Sequence, residues 1–195
     1  MKIILFCGFL GAGKTSLMLR CLPHLTNRYS SMAILENEVG EAGVDGAILK
    51  QQGLQVRELF GGCICCTFQS DMLEAIDQLR TEYAPDLLLM EATGAAHPSN
   101  VLAPLESHLT DIEAITVLGV SDLPRFDMLS QMLPQLNGDI IQRAHAMALT
   151  KVEHADPNME ARCREVMTDK HPGLDIYTIP REGEAAVTEL CRRWL

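Results

Sequence analysis

Short, β-rich apolar runs near 2–8, 32–37, 55–59, 86–91, 113–121, 145–150 and 174–179 punctuate this chain. Runs of this length read as strands, and where they are almost wholly apolar, as strands buried on both faces. Between them, apolar residues recur at three- and four-residue spacing and predict helices over 14–26, 70–82, 99–108, 124–135, 156–169 and 184–194. Strand alternating with helix is the pattern of the α/β class: three layers, a mostly parallel sheet with helices on both faces. No repeat, low-complexity tract or linker interrupts it, so residues 1–195 are expected to form a single domain. The segment from Glu38 to Leu54 has the weakest period and carries Gly40, Gly43, Gly46 and Gly53. It reads as a loop between the second strand and the third.

Composition narrows the partners. The formal net charge is −10 and no run of lysine or arginine occurs, which argues against nucleic acid or an anionic membrane as the main partner. The apolar stretch opening at Met1 ends at Gly8, too short for a signal-peptide core or a membrane span. A soluble, cytoplasmic protein is expected. In that reducing compartment the seven cysteines point to metal binding or redox chemistry more than to structural disulfides.

The first strand runs directly into Gly8-Phe9-Leu10-Gly11-Ala12-Gly13-Lys14-Thr15, followed by Ser16, a further nucleotide-binding candidate, and a helical segment. This is the full G-x-x-x-x-G-K-[ST] pattern in its proper strand–helix context. The glycines Gly8, Gly11 and Gly13, with Ala12, let the backbone wrap so that its N–H groups face phosphates. The helix N-terminus adds a favourable dipole, Lys14 neutralises β/γ oxygens, and the Thr15 hydroxyl ligates Mg²⁺. The P-loop NTPase fold follows. Such a site needs an acidic partner on a neighbouring strand, and Glu91, closing Asp86-Leu87-Leu88-Leu89-Met90, supplies one. Lys14, Thr15 and Glu91 are therefore the catalytic candidates, with Thr15 and Glu91 the magnesium pair. Gly94, just beyond, can offer its N–H to a γ-phosphate.

Thr150-Lys151-Val152-Glu153 follows an apolar strand, where GTP-binding proteins carry Asn/Thr-Lys-x-Asp. Thr150, Lys151 and Glu153 are candidates for the base site. The glutamate is one methylene longer than the usual aspartate. It can still accept two hydrogen bonds from guanine, and a relaxed preference that admits ATP is the other reading.

Gly61-Gly62-Cys63-Ile64-Cys65-Cys66 is the densest thiol cluster. An extended segment puts Cys63 and Cys65 on one side; a helical one pairs Cys63 with Cys66. A further ligand must come from elsewhere, and Glu36 and Glu41 in Glu36-Asn37-Glu38-Val39-Gly40-Glu41 are candidates. Thiolates with a carboxylate suit Zn²⁺ first, then Co²⁺. A Cys-x-Cys redox switch is the competing reading. Cys7, Cys21, Cys163 and Cys191, scattered in apolar surroundings, read as core packing, and His97 as an ordinary loop histidine.

These motifs occur in the order seen in CobW-like GTPases, relatives of the urease and hydrogenase nickel-insertion GTPases, and the chain resembles them over about residues 1 to 155. The resemblance implies a GTPase that binds Zn²⁺, Co²⁺ or a similar ion and delivers it, or helps insert a metallocofactor, into a client metalloprotein. By carry-over, Glu36, Glu41, Cys63, Cys65 and Cys66 form the metal-site set, with Cys65 foremost, and GTP, Mg²⁺ and Zn²⁺ (or Co²⁺) are the cofactors. A homodimer is expected on the same ground. Typical members continue into a second domain; this sequence closes with a helix through Trp194-Leu195 and reads as the GTPase domain alone. A nucleotide-dependent redox or metal sensor and an ATP-dependent small-molecule kinase are the alternatives. The kinase lacks an arginine-rich lid in mid-chain.

Overall fold

The computed structural model describes residues 1–38, 55–60, 67–109 and 112–195, with 36–38, 55–60 and 67–69 as backbone only. Seven strands form one sheet: β1 (Lys2–Gly8), β2 (Met32–Glu38), β3 (Gln55–Phe60), β4 (Leu87–Glu91), β5 (Ala114–Asp122), β6 (Ala146–Thr150) and β7 (Asp175–Thr178). The spatial order is β3-β2-β4-β1-β5-β6-β7, and every pairing is parallel. The expectation of a mostly parallel sheet thus becomes an all-parallel one among the described residues. Helices α1 (Lys14–Leu25), α2 (Thr67–Tyr83), α3 (Pro98–His108), α4 (Phe126–Met132), α5 (Pro134–Arg143), α6 (Met159–Lys170) and α7 (Ala185–Trp194) complete it.

Alternate residues of β1 serve opposite faces, as the two-residue period of a strand requires. Ile4 and Phe6 join Leu17, Met18 and Cys21 of α1 and Val187 and Leu190 of α7 in one buried cluster. Ile3, Leu5 and Cys7 pack with Met72 and Ile76 of α2 and Val101 and Leu105 of α3. A third cluster on that second face joins Met147 and Leu149 of β6 to Ile140 and Ile141 of α5 and Cys163 and Met167 of α6. The three-layer arrangement is explicit: α1 and α7 cover one face, α2, α3, α5 and α6 the other. Among the described residues no helix is long and apolar enough to cross a membrane.

One predicted element needs correction. The single helix expected over 124–135 is a 3₁₀ turn at Leu123–Arg125, then α4, then a break at Leu133 (φ −132°, ψ 57°), with Pro134 opening α5. A proline disfavours helical backbone in the residue before it but suits the first helical position. The new helix, α5, runs to Arg143 and buries Leu136, Ile140 and Ile141 at helical spacing.

Candidate functional site

Ligands of open parallel sheets bind beyond the carboxyl ends of the strands, and here the ends of β1, β4, β5 and β6 meet in one place. The Gly8–Thr15 loop leaves β1 and turns into α1 through Gly13, whose φ of +91° is open to glycine and strained for other residues. Within the loop the Ala12 N–H donates to the Phe9 carbonyl (3.0 Å). Lys14 is buried, only 5% exposed; its Nζ lies 3.6 Å from Glu91 Oε1 and donates to the Phe9 carbonyl at 3.4 Å. Burial pulls its ammonium below the ordinary value, and the Glu91 carboxylate opposes that pull. Thr15 Oγ1 donates to Glu91 Oε2 at 2.6 Å. Ser16 is exposed in the first turn of α1.

From Glu91 the chain turns past the P-loop. The Ala92 N–H donates to the Phe6 carbonyl (3.0 Å), and Gly94 lies so close to Leu10 that a Cβ would overlap the Leu10 backbone nitrogen and Cα. His97 Nδ1 stands 3.4 Å from Asp139 Oδ2, so this loop histidine faces a carboxylate on α5.

The β6 end approaches the same loop from the other side. Thr150, buried, donates from Oγ1 to the Ala12 carbonyl at 2.7 Å. Lys151 adopts a left-handed φ of +57°, and its Nζ donates to the Gly11 carbonyl and to Asp122 Oδ2, each at 2.6 Å. Glu153 is exposed on the 3₁₀ turn Val152–His154.

Two residues of this cluster escaped the sequence reading. Asp122, 2% exposed at the end of β5, accepts from Lys151 and also from Arg125 Nε at 2.8 Å. Arg125 in turn donates from Nη2 to the Leu10 carbonyl at 3.0 Å. One buried carboxylate thereby holds two cations, each capping one of two consecutive P-loop carbonyls. A signal existed in a carboxylate closing an apolar strand, but its value depends on β5 lying beside β1, with Gly8 opposite Val120.

For the transition-metal candidates the structure supplies one placement. Glu36, two residues before the end of β2, is in register with Glu91 of β4 and Glu58 of β3. Glu41, Cys63, Cys65 and Cys66 lie outside the described residues. The four scattered cysteines are buried, as core packing requires. Burial pushes the Cys7 and Cys163 thiols up to about 12, which keeps them unreactive near neutrality.

The family model described as "CobW/HypB/UreG, nucleotide-binding domain" matches residues 2–178. A zinc chaperone YeiR of Escherichia coli is 40% identical over 114 residues, covering 56% of this chain and 34% of that protein. A zinc chaperone CobW of Pseudomonas aeruginosa is 36% identical over 208 residues, covering 98% of this chain and 52% of that protein. These alignments reach across a third to a half of those curated relatives. Among solved structures, the hydrogenase maturation factor HypB of Archaeoglobus fulgidus superposes with a TM-score of 0.71 at 18% identity, covering 98% of this chain and 87% of that one. The Zn(II)-bound YjiA GTPase of E. coli gives 0.61 at 22% identity, covering 95% and 58%. At such identities the structures speak to the fold alone.

Proposed function

This chain belongs to the CobW/HypB/UreG nucleotide-binding family, and from that premise we propose that it is a GTPase that couples its nucleotide state to binding a transition metal and delivering it to a client metalloprotein. The observation that carries the nucleotide half is the convergence of Lys14, Thr15 and Glu91 at the carboxyl ends of β1 and β4. In this reading Lys14 meets the β/γ oxygens and the loop amides meet the phosphate chain. Thr15 Oγ and the Glu91 carboxylate are two hard oxygen donors 2.6 Å apart, a donor set that fits Mg²⁺ directly or through water. Bound there, the ion would neutralise β- and γ-phosphate oxygens. In this reading the amide of Gly94, which packs on Leu10, meets the γ-phosphate. Lys151 and Glu153 form the base side, with the lysine stem beside the base and the glutamate accepting from guanine.

The metal half rests on the thiol cluster Cys63, Cys65 and Cys66 with Glu36 and Glu41, and on relatives named as zinc chaperones. Zn²⁺ or Co²⁺ is the cargo these donors suit. Register supports the coupling. Glu36 and Glu91 occupy paired positions on adjacent strands, roughly 4.8 Å apart in a parallel sheet. A shift in what Glu91 holds reaches Glu36 through one strand pairing.

The test is a titration of the reduced protein with Zn²⁺ and Co²⁺, bound to GDP or to a non-hydrolysable GTP analogue, beside Cys65→Ser. Stoichiometric binding that needs Cys65 and changes with nucleotide supports the proposal. Linkage then requires metal to change nucleotide affinity by the same factor. Equal affinity in both nucleotide states overturns the coupling, and no tight binding in either overturns the metal role.

A further inference from the structure

Arg125 has a position that neither the metal site nor the base site explains. Its guanidinium is anchored twice to Asp122, through Nε and Nη2, both 2.8 Å from Oδ2. The carboxylate is almost fully buried at 2% exposure, whereas the arginine side chain is 38% exposed. The same Nη2 caps the Leu10 carbonyl at 3.0 Å and lies where a Cβ on Gly11 would be 3.5 Å away. The arginine therefore lies against the Leu10–Gly11 peptide.

That peptide has two ends. Its carbonyl belongs to Leu10 and its N–H to Gly11, and in a planar trans unit the two point in opposite directions. With the carbonyl held by Arg125, the Gly11 N–H is turned to the far side of the loop, where among the described residues it meets no acceptor. The next amide differs, since the Ala12 N–H is already spent on the Phe9 carbonyl. A cation on a carbonyl also polarises the amide it belongs to, so that the N–H becomes a stronger donor.

We infer that Arg125 is a positioning residue for hydrolysis, acting through the Leu10–Gly11 peptide to aim and strengthen the Gly11 N–H as a donor to the β-phosphate oxygen that leaves with GDP. The inference rests on the GTPase reading above. In that reaction water attacks the γ-phosphorus and the bond from it to the β-phosphate oxygen breaks. That oxygen keeps the electron pair, and the products are GDP, inorganic phosphate and a proton. Negative charge grows on the leaving oxygen in a loose transition state. A preorganised amide aimed at growing charge lowers the barrier more than it tightens ground-state binding. Asp122 makes the arrangement rigid: it is shared with Lys151, whose Nζ caps the adjacent Gly11 carbonyl, so two consecutive peptides of the loop are locked by one buried charge.

The experiment is steady-state and single-turnover GTP hydrolysis by wild type, Arg125→Ala and Arg125→Lys, with thermal melts of all three. Arg125→Ala is expected to lower kcat about tenfold while KM for GTP stays within roughly twofold and the melting temperature is retained. Arg125→Lys is expected to recover part of the rate, because an ammonium can still cap the carbonyl but cannot hold Asp122 with two arms. A wild-type kcat in Arg125→Ala overturns the inference. So does a fall in kcat matched by a rise in KM and a lower melting temperature, with no rescue by lysine, which would make the guanidinium a prop for the loop. A wild-type protein that binds GTP without hydrolysing it, or fails to bind it, removes the GTPase reading itself and this inference with it.

Discussion

The Thr15 hydroxyl donates to the Glu91 carboxylate across 2.6 Å although 76 residues separate them in the chain. The contact ties the first turn of α1 to the end of β4, and Lys14 approaches the other oxygen of the same carboxylate. A charged acceptor makes this a strong hydrogen bond. Glu91→Gln keeps its shape and removes the charge. We expect kcat for GTP to fall about a hundredfold and to require more Mg²⁺ for half-maximal rate, with GDP still bound. A Mg²⁺ titration of the hydrolysis rate checks this; an unchanged Mg²⁺ requirement would remove Glu91 from the magnesium role.

Gly94 and Leu10 are in backbone contact. Gly94→Ala must push the loop after β4 away from the P-loop, because the atoms in the way are backbone and cannot rotate aside. A loss of about 1–3 kcal/mol is expected from such overpacking, together with weaker binding of a GTP analogue relative to GDP. Chemical denaturation and paired nucleotide titrations read the two effects separately. Wild-type stability would show that the loop moves freely.

The base side can be tested at Glu153, which is exposed on its turn. If its carboxylate reads guanine, Glu153→Ala should reduce the preference for GDP over ADP by roughly tenfold to a hundredfold, the value of a hydrogen bond to a charged group. Competition against a fluorescent guanine nucleotide gives the ratio. An unaltered ratio places base discrimination elsewhere.

A pH effect is expected away from the site. Glu160 on α6 accepts from Thr178 Oγ1 at 2.6 Å and from Arg164 Nε at 2.9 Å. The Thr178 hydrogen bond, with Arg164 adding to it, holds the carboxyl below its ordinary value of 4.5. A depressed carboxyl stabilises the fold above the unfolded value, and that stabilisation is lost as pH falls through the folded one. Thr178→Val should therefore cost about 1 kcal/mol near neutrality, and the gap from wild type should close below pH 4.5. Melting curves of both proteins from neutral to acid pH test this. A gap independent of pH would assign the loss to packing.

Where the sequence was readable, the reason is local. All seven strands stand where the short runs placed them; for central β1, β4 and β6 the signal is strongest, because a strand flanked by helices on both faces needs apolar side chains at nearly every position. Gly8–Thr15, Glu91, Gly94, Thr150 and Lys151 could be picked out because each sits at a strand end with a recognisable neighbour, and the structure brings them to one edge of the sheet. The break at Leu133-Pro134 was missed: apolar spacing continues on both sides of the proline, and only the packing of Leu136, Ile140 and Ile141 under the sheet shows a second helix.

The amino-acid order by itself determined the α/β class, the phosphate-loop signature and the thiol cluster, since each is encoded by periodicity or by residues adjacent in the chain. Only the tertiary structure decided that β5 lies beside β1 and β2 beside β4. That order brings Arg125 to Leu10 across 115 residues and Glu36 into register with Glu91. Strand order follows from how helices pack across the finished sheet, a sum of many long-range contacts that no short stretch of sequence carries.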